Sequence, residues 1–331
     1  MKKIGVDVMS GERPPAVLIK GCVQAVKTFP ISVVITGEET LIQNELKKHK
    51  YPEERILILP SHDVIGMDDV PSKAFRQKKD ASLMVGCRAL KGEMIDAFIT
   101  PGNTGAALAA ALFVIGRIKG VKRPALAISI PTRKGYALML DGGANSDCNA
   151  RYLRQFALMG SVYYKNMHTL SAPSVGLLNV GEEDKKGSEL AQQAYKELQK
   201  LPINFIGNIE PNQIFSHKAD VIICDGFVGN LVLKNIEGTA KYLVDIIKSE
   251  IMQGVLTRVG AFLMSPVFRR LKQELNPARF GAAPLLGVSK PFFIGHGNSS
   301  DASIFGAIRT AVKVLDNDFI SNITEDIDRW G

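Results

Sequence analysis

Short apolar runs alternate with stretches of helical periodicity along this chain of 331 residues. Residues 4–8, 32–36, 56–59, 95–100, 126–130, 137–140, 175–180, 203–207 and 221–224 read as strands. Residues 15–28, 38–50, 81–91, 105–117, 150–166, 188–201 and 230–250 read as helices. Several strand runs, such as ILIL at 56–59, are apolar on both faces, the pattern of a sheet covered by helices on each side. The alternation predicts a three-layer α/β/α fold, a Rossmann-like doubly wound sheet. PTRKG, between residues 130 and 136, is a short turn joining two strand-like runs and predicts one antiparallel hairpin. No Gly/Ser-rich linker or repeat interrupts the pattern. The expectation is one domain over 1–331, with a helical excursion at about 235–280.

Composition narrows the class. Hydrophobic residues make up 46% and charged residues 22%, ample for a core. The formal charge of +8 favours anionic partners such as phosphates, acidic proteins or anionic lipid. Nucleic acid is disfavoured, because no stretch interleaves aromatics with Arg and Lys. Cys22, Cys87, Cys148 and Cys224 are scattered, which argues against a zinc site or a disulfide framework and for a reducing compartment. MKKIGVDVMSG does not read as a signal peptide. The longest apolar stretch, 106–115, is far short of the roughly 20 residues of a membrane span. A cytoplasmic location is expected, with surface contact to a membrane left open.

Ligands of open α/β sheets bind at the carboxyl ends of strands, and five polar clusters follow predicted strands. They are expected on one rim. In PGNTG, Asn103 or Thr104 caps a helix, while Gly102 and Gly105 give a ligand access to its free N–H groups. The alternative is an ordinary capped helix. Ala106, Ala107, Ala109, Ala110 and Ala111 let that helix pack closely on the sheet. GxxxxGK[ST] is absent, and no clear GxGxxG occurs, so neither a nucleoside triphosphate nor a dinucleotide is indicated. DGGANSD supplies Asp141, Asn145 and Asp147, either as turn formers or as site residues, without a histidine to make a metal site. In the 179–189 segment, Asn179 precedes Lys185 and Lys186, which form either a solvated charge run or an anion site before Gly187. Gly207 and Asn208 end another strand, and Asp225, Gly229 and Asn230 a fifth. GHGNSSDAS contains His296, Asn298, Ser299, Ser300 and Asp301 but is no nucleophile elbow. Ser299 or Ser300 reads there as a helix cap, and His296 as a hydrogen-bond donor or proton carrier. Cys224, in an apolar strand, reads as a small hydrophobe.

Together IGVDVMSG, PGNTGAALAAALFVIGRIKGVKRPALA, LDGGANSDC, SVGLLNVGEEDKKGSEL, NFIGNIE, ADVIICDGFVGNLVLKNIEG, GAAPLLGV and HGNSSD resemble the bacterial phosphate acyltransferases of phospholipid synthesis, the PlsX family, nearly end to end. The resemblance implies a fold akin to the phosphate acetyltransferase and isocitrate-dehydrogenase-like group, a homodimer, and no metal or other cofactor. It also implies conversion of an acyl-acyl-carrier-protein and inorganic phosphate into acyl phosphate, for a downstream membrane glycerol-3-phosphate acyltransferase. Family members carry a Gly-Gly-Asp-His-type run where this chain has Ser10-Gly11-Glu12-Arg13.

On that reading Gly102, Asn103, Thr104 and Gly105 cradle phosphate with Lys186 as counter-charge. His296, Asn230 or an N–H near Gly229 faces the thioester oxygen. Asp141, Asn145, Asn179, Asp225 and Asp301 orient these groups. Residues 251–272 space Ile251, Val255, Leu256, Val259, Phe262 and Leu263 at helical intervals beside Arg258, Arg269, Arg270 and Lys272. They read either as helices packed on each other or on a partner subunit, or as a basic amphipathic tip on anionic membrane. The competing functions are a phosphate acetyl- or butyryltransferase using acyl-CoA, a non-catalytic carrier-protein scaffold, and, least supported, a dehydrogenase.

Overall fold

The computed structural model describes residues 1–168, 170–274, 281–317 and 319–331, with the backbone alone for 271–274. The amino-terminal half builds parallel strands β1 (Lys2–Asp7), β2 (Ile31–Gly37), β3 (Ile56–Pro60) and β4 (Ala97–Thr100). Helices α1 (Pro15–Thr28), α2 (Glu39–Leu46), α3 (Pro71–Gln77) and α4 (Ser82–Lys91) connect them. Helix α5 (Thr104–Ala110) follows β4 and continues through a wider turn over Ala111–Ile115. Then come β5 (Ala125–Thr132), β6 (Gly135–Leu140), α6 (Ala150–His168), β7 (Ser174–Leu178), α7 (Glu189–Leu198), β8 (Asn204–Ile209) and β9 (Val221–Ile223). The chain closes with α8 (Gly226–Met252), α9 (Val255–Leu263), α10 (Ser265–Glu274), β10 (Ala282–Leu286), β11 (Phe292–Gly295), α11 (Asp301–Asp316) and α12 (Phe319–Trp330).

Among the described residues, the eleven strands share one sheet in the order β3-β2-β1-β4-β11-β10-β5-β6-β9-β7-β8. The expected β5–β6 hairpin is present, with Ala127 opposite Leu140 and Thr132 opposite Gly135. Strand β10, however, is antiparallel to both β11 and β5. Three successive reversals therefore set β4 and β11 antiparallel to β6, β9 and β7. This corrects the single rim: the carboxyl ends of β1, β4 and β11 form one edge, and those of β6, β7, β8 and β9 the other.

Every residue of β2 is buried, as a strand covered on both faces must be. One layer, α1, α2, α6, α7, α11 and α12, encloses the largest core cluster. On the other face Ala106, Ala107, Ala110 and Ala111 are fully buried beside Phe98 and Phe292. Helix α5 packs chiefly on α3 and α4 rather than directly on the sheet. Also on that face, Val232, Leu233 and Ile236 of α8 pack on Ile130, Met139 and Ile222.

Beyond its first three turns α8 leaves the body. Leu256 is 87% exposed and Phe262 77%. Residues 275–280 of the expected excursion lie outside the described residues, as does the side chain of Lys272. Among the described residues no helix is long and apolar enough to cross a membrane.

Candidate active site

Three loops meet at the first edge. The buried Asp7 carboxylate accepts from the N–H groups of Met9 and Ser10 (3.0 and 3.2 Å) and from the Thr100 hydroxyl (2.9 Å). This ties the loop after β1 to the end of β4. Ser10 reaches the Ser82 hydroxyl at 3.3 Å. The N–H of Glu12 donates to the Gly297 carbonyl (2.8 Å), and Arg13 Nε donates to Asn298 Oδ1 (2.5 Å).

The glycines of PGNTG also have a packing reason. A Cβ on Gly102 would stand 2.7 Å from Ser10 Cβ, and one on Gly105 2.7 Å from Pro71 Cγ. Protein occupies the space a side chain would take at either position. Asn103 caps α5 by accepting from the Ala106 N–H (3.1 Å), while its amide donates to the carbonyls of Met67 and Asp69 (2.9 and 3.1 Å). Its side chain is therefore fully engaged. What stays open is the exposed first turn at Thr104, where helix N–H groups have no intrahelical partner.

His296 follows β11 on the same edge. Its ring is 73% exposed and its Nε2 lies 3.5 Å from Glu237 Oε1. Ser299 donates to the His296 carbonyl at 2.6 Å, and Ser300 caps α11 by accepting from the Ser303 N–H at 3.1 Å. Asp301 is directed elsewhere: its carboxylate pairs with Lys20 of α1 at 2.8 Å, which holds its pKa below the usual range.

The second edge centres on Asp141. Its Oδ1 accepts from the N–H groups of Leu126 (3.0 Å), Gly143 (3.2 Å) and Ala144 (3.0 Å). Its Oδ2 accepts from the Asn145 N–H (2.7 Å) and side-chain amide (2.8 Å). Burial raises the Asp141 pKa, while these donors oppose the shift. Asn145 also donates to the Pro124 carbonyl at 2.7 Å.

Asp225 is the N-cap of α8, accepting from the Val228 N–H at 2.8 Å, so DGFVGN is the first turn of a helix that starts four residues before its expected beginning. Asn179 donates to the Lys186 carbonyl (3.0 Å) and Asn208 to that of Glu183 (2.8 Å), stapling the intervening loop. Lys186 itself is exposed and faces Glu183 at 3.8 Å. Lys186 thus belongs to the second edge, and Gly102, Asn103, Thr104 and Gly105 to the first; no hydrogen bond or ion pair among the described residues joins the two.

Helix α8 connects the edges instead. Near its start, Asn230 faces Gly143, where a built Cβ would lie 3.4 Å from Asn230 Cβ. Two turns later Glu237 meets His296. Those turns span about 10 Å, and Lys234 lies between the two residues on the same face. Asn230, Lys234 and Glu237 therefore lie along one face of α8, a line whose ends are the Asp141 knot and the His296 loop. Lys234, Glu237 and Arg13 were not among the sequence candidates; the i, i+4, i+7 spacing of polar residues at 230, 234 and 237 was the available signal for the first two.

Burial also sets the character of the four cysteines. Burial pushes the thiols of Cys22, Cys87 and Cys224 far up, and that of Cys148 to about 12.

The whole chain can be matched to known folds. A phosphotransacetylase from Streptococcus pyogenes superposes with a TM-score of 0.61 at 15% identity, covering 96% of this chain and 95% of that one. A 4-hydroxythreonine-4-phosphate dehydrogenase from Klebsiella pneumoniae gives 0.55 at 12%, covering 96% and 98%. The fold is therefore the α/β/α class shared by these enzymes.

Residues 2–322 match the family described as fatty acid synthesis protein. The phosphate acyltransferase of Thermoanaerobacter pseudethanolicus is 41% identical over 330 residues, 99% of this chain and 98% of its own. The chain belongs to this phosphate acyltransferase family and is an acyl-transferring enzyme of lipid synthesis.

Proposed function

We propose that this face of α8 lines a trough in which an acyl group passes from the thioester of an acyl carrier protein to inorganic phosphate, in a homodimeric enzyme. The observation that carries this reading is the single helix face bearing Asn230, Lys234 and Glu237, which runs over about 10 Å of helix from its contact with the Asp141 knot to its contact with the His296 loop. A hydrogen phosphate dianion is already a nucleophile, so the protein has to hold it against the thioester and meet the charge that develops. Phosphate sits at the first edge, against the open first turn of α5, with Arg13 and Lys234 as counter-charges. The thioester lies toward Asn230, whose side-chain amide, held beside the rigid Asp141 loop, donates to the developing oxyanion. A phosphate oxygen bonds to the acyl carbon, the carbon–sulfur bond breaks, and His296, held by Glu237, passes the phosphate proton to the leaving thiolate. Products are acyl phosphate and the free carrier thiol.

Arg13→Ala is expected to raise the KM for phosphate about tenfold, the loss of one charge-assisted contact, while Lys186→Ala changes it by less than about twofold. Steady-state titration of phosphate checks this. The opposite ranking would move the anion to the second edge. Turnover of acetyl-CoA in preference to long-chain acyl carrier protein would replace the donor.

The exposed apolar residues of α9 and α10, flanked by Arg258, Arg269 and Arg270, suit an anionic membrane surface that receives the amphiphilic product for a downstream membrane acyltransferase. Leu256→Asp with Phe262→Asp is expected to reduce flotation with anionic vesicles more than about tenfold and to leave acyl transfer in solution intact. Unchanged flotation would leave this tip to a partner subunit.

A further inference from the structure

Between Asp96 and Asp141 the chain carries no acidic residue at all, yet Arg117, Lys119, Lys122 and Arg123 crowd into one loop there. All four are exposed, and among the described residues none pairs with a carboxylate. Asp328 stands nearby without pairing to them, its Oδ1 3.9 Å from where a Cβ at Gly120 would lie.

The loop is held rigidly from beneath. The fully buried Gln155 accepts from the Lys122 N–H (2.8 Å) and donates to the Gly120 carbonyl (3.0 Å). Ile118 N–H donates to the Gly287 carbonyl (3.0 Å), Ser289 N–H to that of Gly116 (2.9 Å), and an Arg117 guanidinium N–H to that of Lys122. The turns at Gly116 and Gly120, with φ of 90° and 88°, are ones that a side chain would strain.

Beside the cations stands Phe113, 71% exposed, its ring stacked on Phe75 at 5.2 Å. Two shallow depressions of about 450 and 420 Å³ run along this loop, the second bounded by Phe113, Arg123 and Tyr152. The loop also leads directly into the site. Pro124, the next residue, accepts from Asn145, and Leu126 donates to Asp141.

We propose that this surface, four unpaired cations around Phe113, is where the acidic carrier protein docks, presenting its thioester to the Asn230 end of the trough. This rests on the donor assigned above. A fixed positive field with an apolar centre fits a helical protein whose carboxylates surround an apolar spot, and a loop that is already ordered loses little entropy on binding. Phosphate enters from the other end, past Arg13, so the two substrates do not compete for an entrance.

The test is Lys119→Glu with Lys122→Glu, assayed with a purified acidic carrier protein loaded with a palmitoyl thioester and, separately, with palmitoyl-N-acetylcysteamine, which lacks the protein. The expected result is a rise of roughly 10- to 100-fold in KM for the loaded carrier, with loss of its salt dependence. Turnover of the small thioester and KM for phosphate should be unchanged. Lys119→Gln with Lys122→Gln should give an intermediate rise and guards against a folding defect. An unchanged carrier KM in both variants overturns the docking site while leaving the donor assignment intact. A parent enzyme that uses only the small thioester, or acetyl-CoA, overturns the donor assignment itself. Loss of anionic-vesicle binding or of dimerisation with no change in carrier KM assigns the patch to lipid or to a second copy, and likewise overturns it.

Discussion

Gly229→Ala is expected to lower stability by roughly 3–5 kcal/mol and to reduce acyl transfer to background. A Cβ at this position would stand 1.9 Å from the Asp141 carbonyl oxygen and 3.0 Å from Cys224 Sγ. Neither can retreat. The Asp141 N–H is bonded to the Cys224 carbonyl at 3.0 Å, and its carboxylate is gripped by the five donors already described. The first turn of α8 must lift instead, carrying Asn230 off the trough and drawing Gly226 away from its contact with Asn145 (N–H to carbonyl, 2.8 Å). Thermal melts and acyl phosphate production report the two losses separately. A melting temperature within about 2 °C of the parent would mean that the helix start is more yielding than this packing implies.

Lys234→Ala should do the converse, leaving the melting temperature unchanged and lowering kcat/KM by about 10²- to 10³-fold. The side chain is exposed and makes no ion pair among the described residues, so its removal takes nothing from the fold. What it removes is a cation midway between Asn230 and Glu237, where the proposed mechanism has phosphate charge shift as the thioester opens. Lys234→Arg should recover only part of the rate, because a planar fork replaces a point charge. A kcat/KM within about threefold of the parent in the alanine variant would place the substrate off this face of α8.

The sequence made the alternation of strands and helices legible, because buried strands and amphipathic helices leave periodic signatures. PTRKG announced its hairpin in the same way. The two late strands were not recognised. β10 spells AAPLL, with a proline at its centre, and β11 spans only four residues, FFIG. Their absence hid the reversal of sheet direction, since an apolar strand reads alike whichever way it runs.

The site was legible as residue types rather than as an arrangement. Asp141, Asn145, Asn230 and His296 were singled out, while the packing of Gly102 on Ser10 and of Gly105 on Pro71, across distant segments, left no sign in the local pattern. Asp301 resembled a site acid and serves instead to clamp α1 to α11 through Lys20. Arg13 was noticed only as a departure from a motif. Its partnership with Asn298 depends on two loops some 285 positions apart in sequence, which no local pattern encodes.

The protonated state of the four cysteines has a kinetic corollary. Burial disfavours a thiolate that could take custody of the acyl group, and direct attack by phosphate, as proposed, has both substrates on the protein together before either product departs. Double-reciprocal plots should then intersect rather than run parallel, and alkylating reagents such as iodoacetamide should leave turnover untouched.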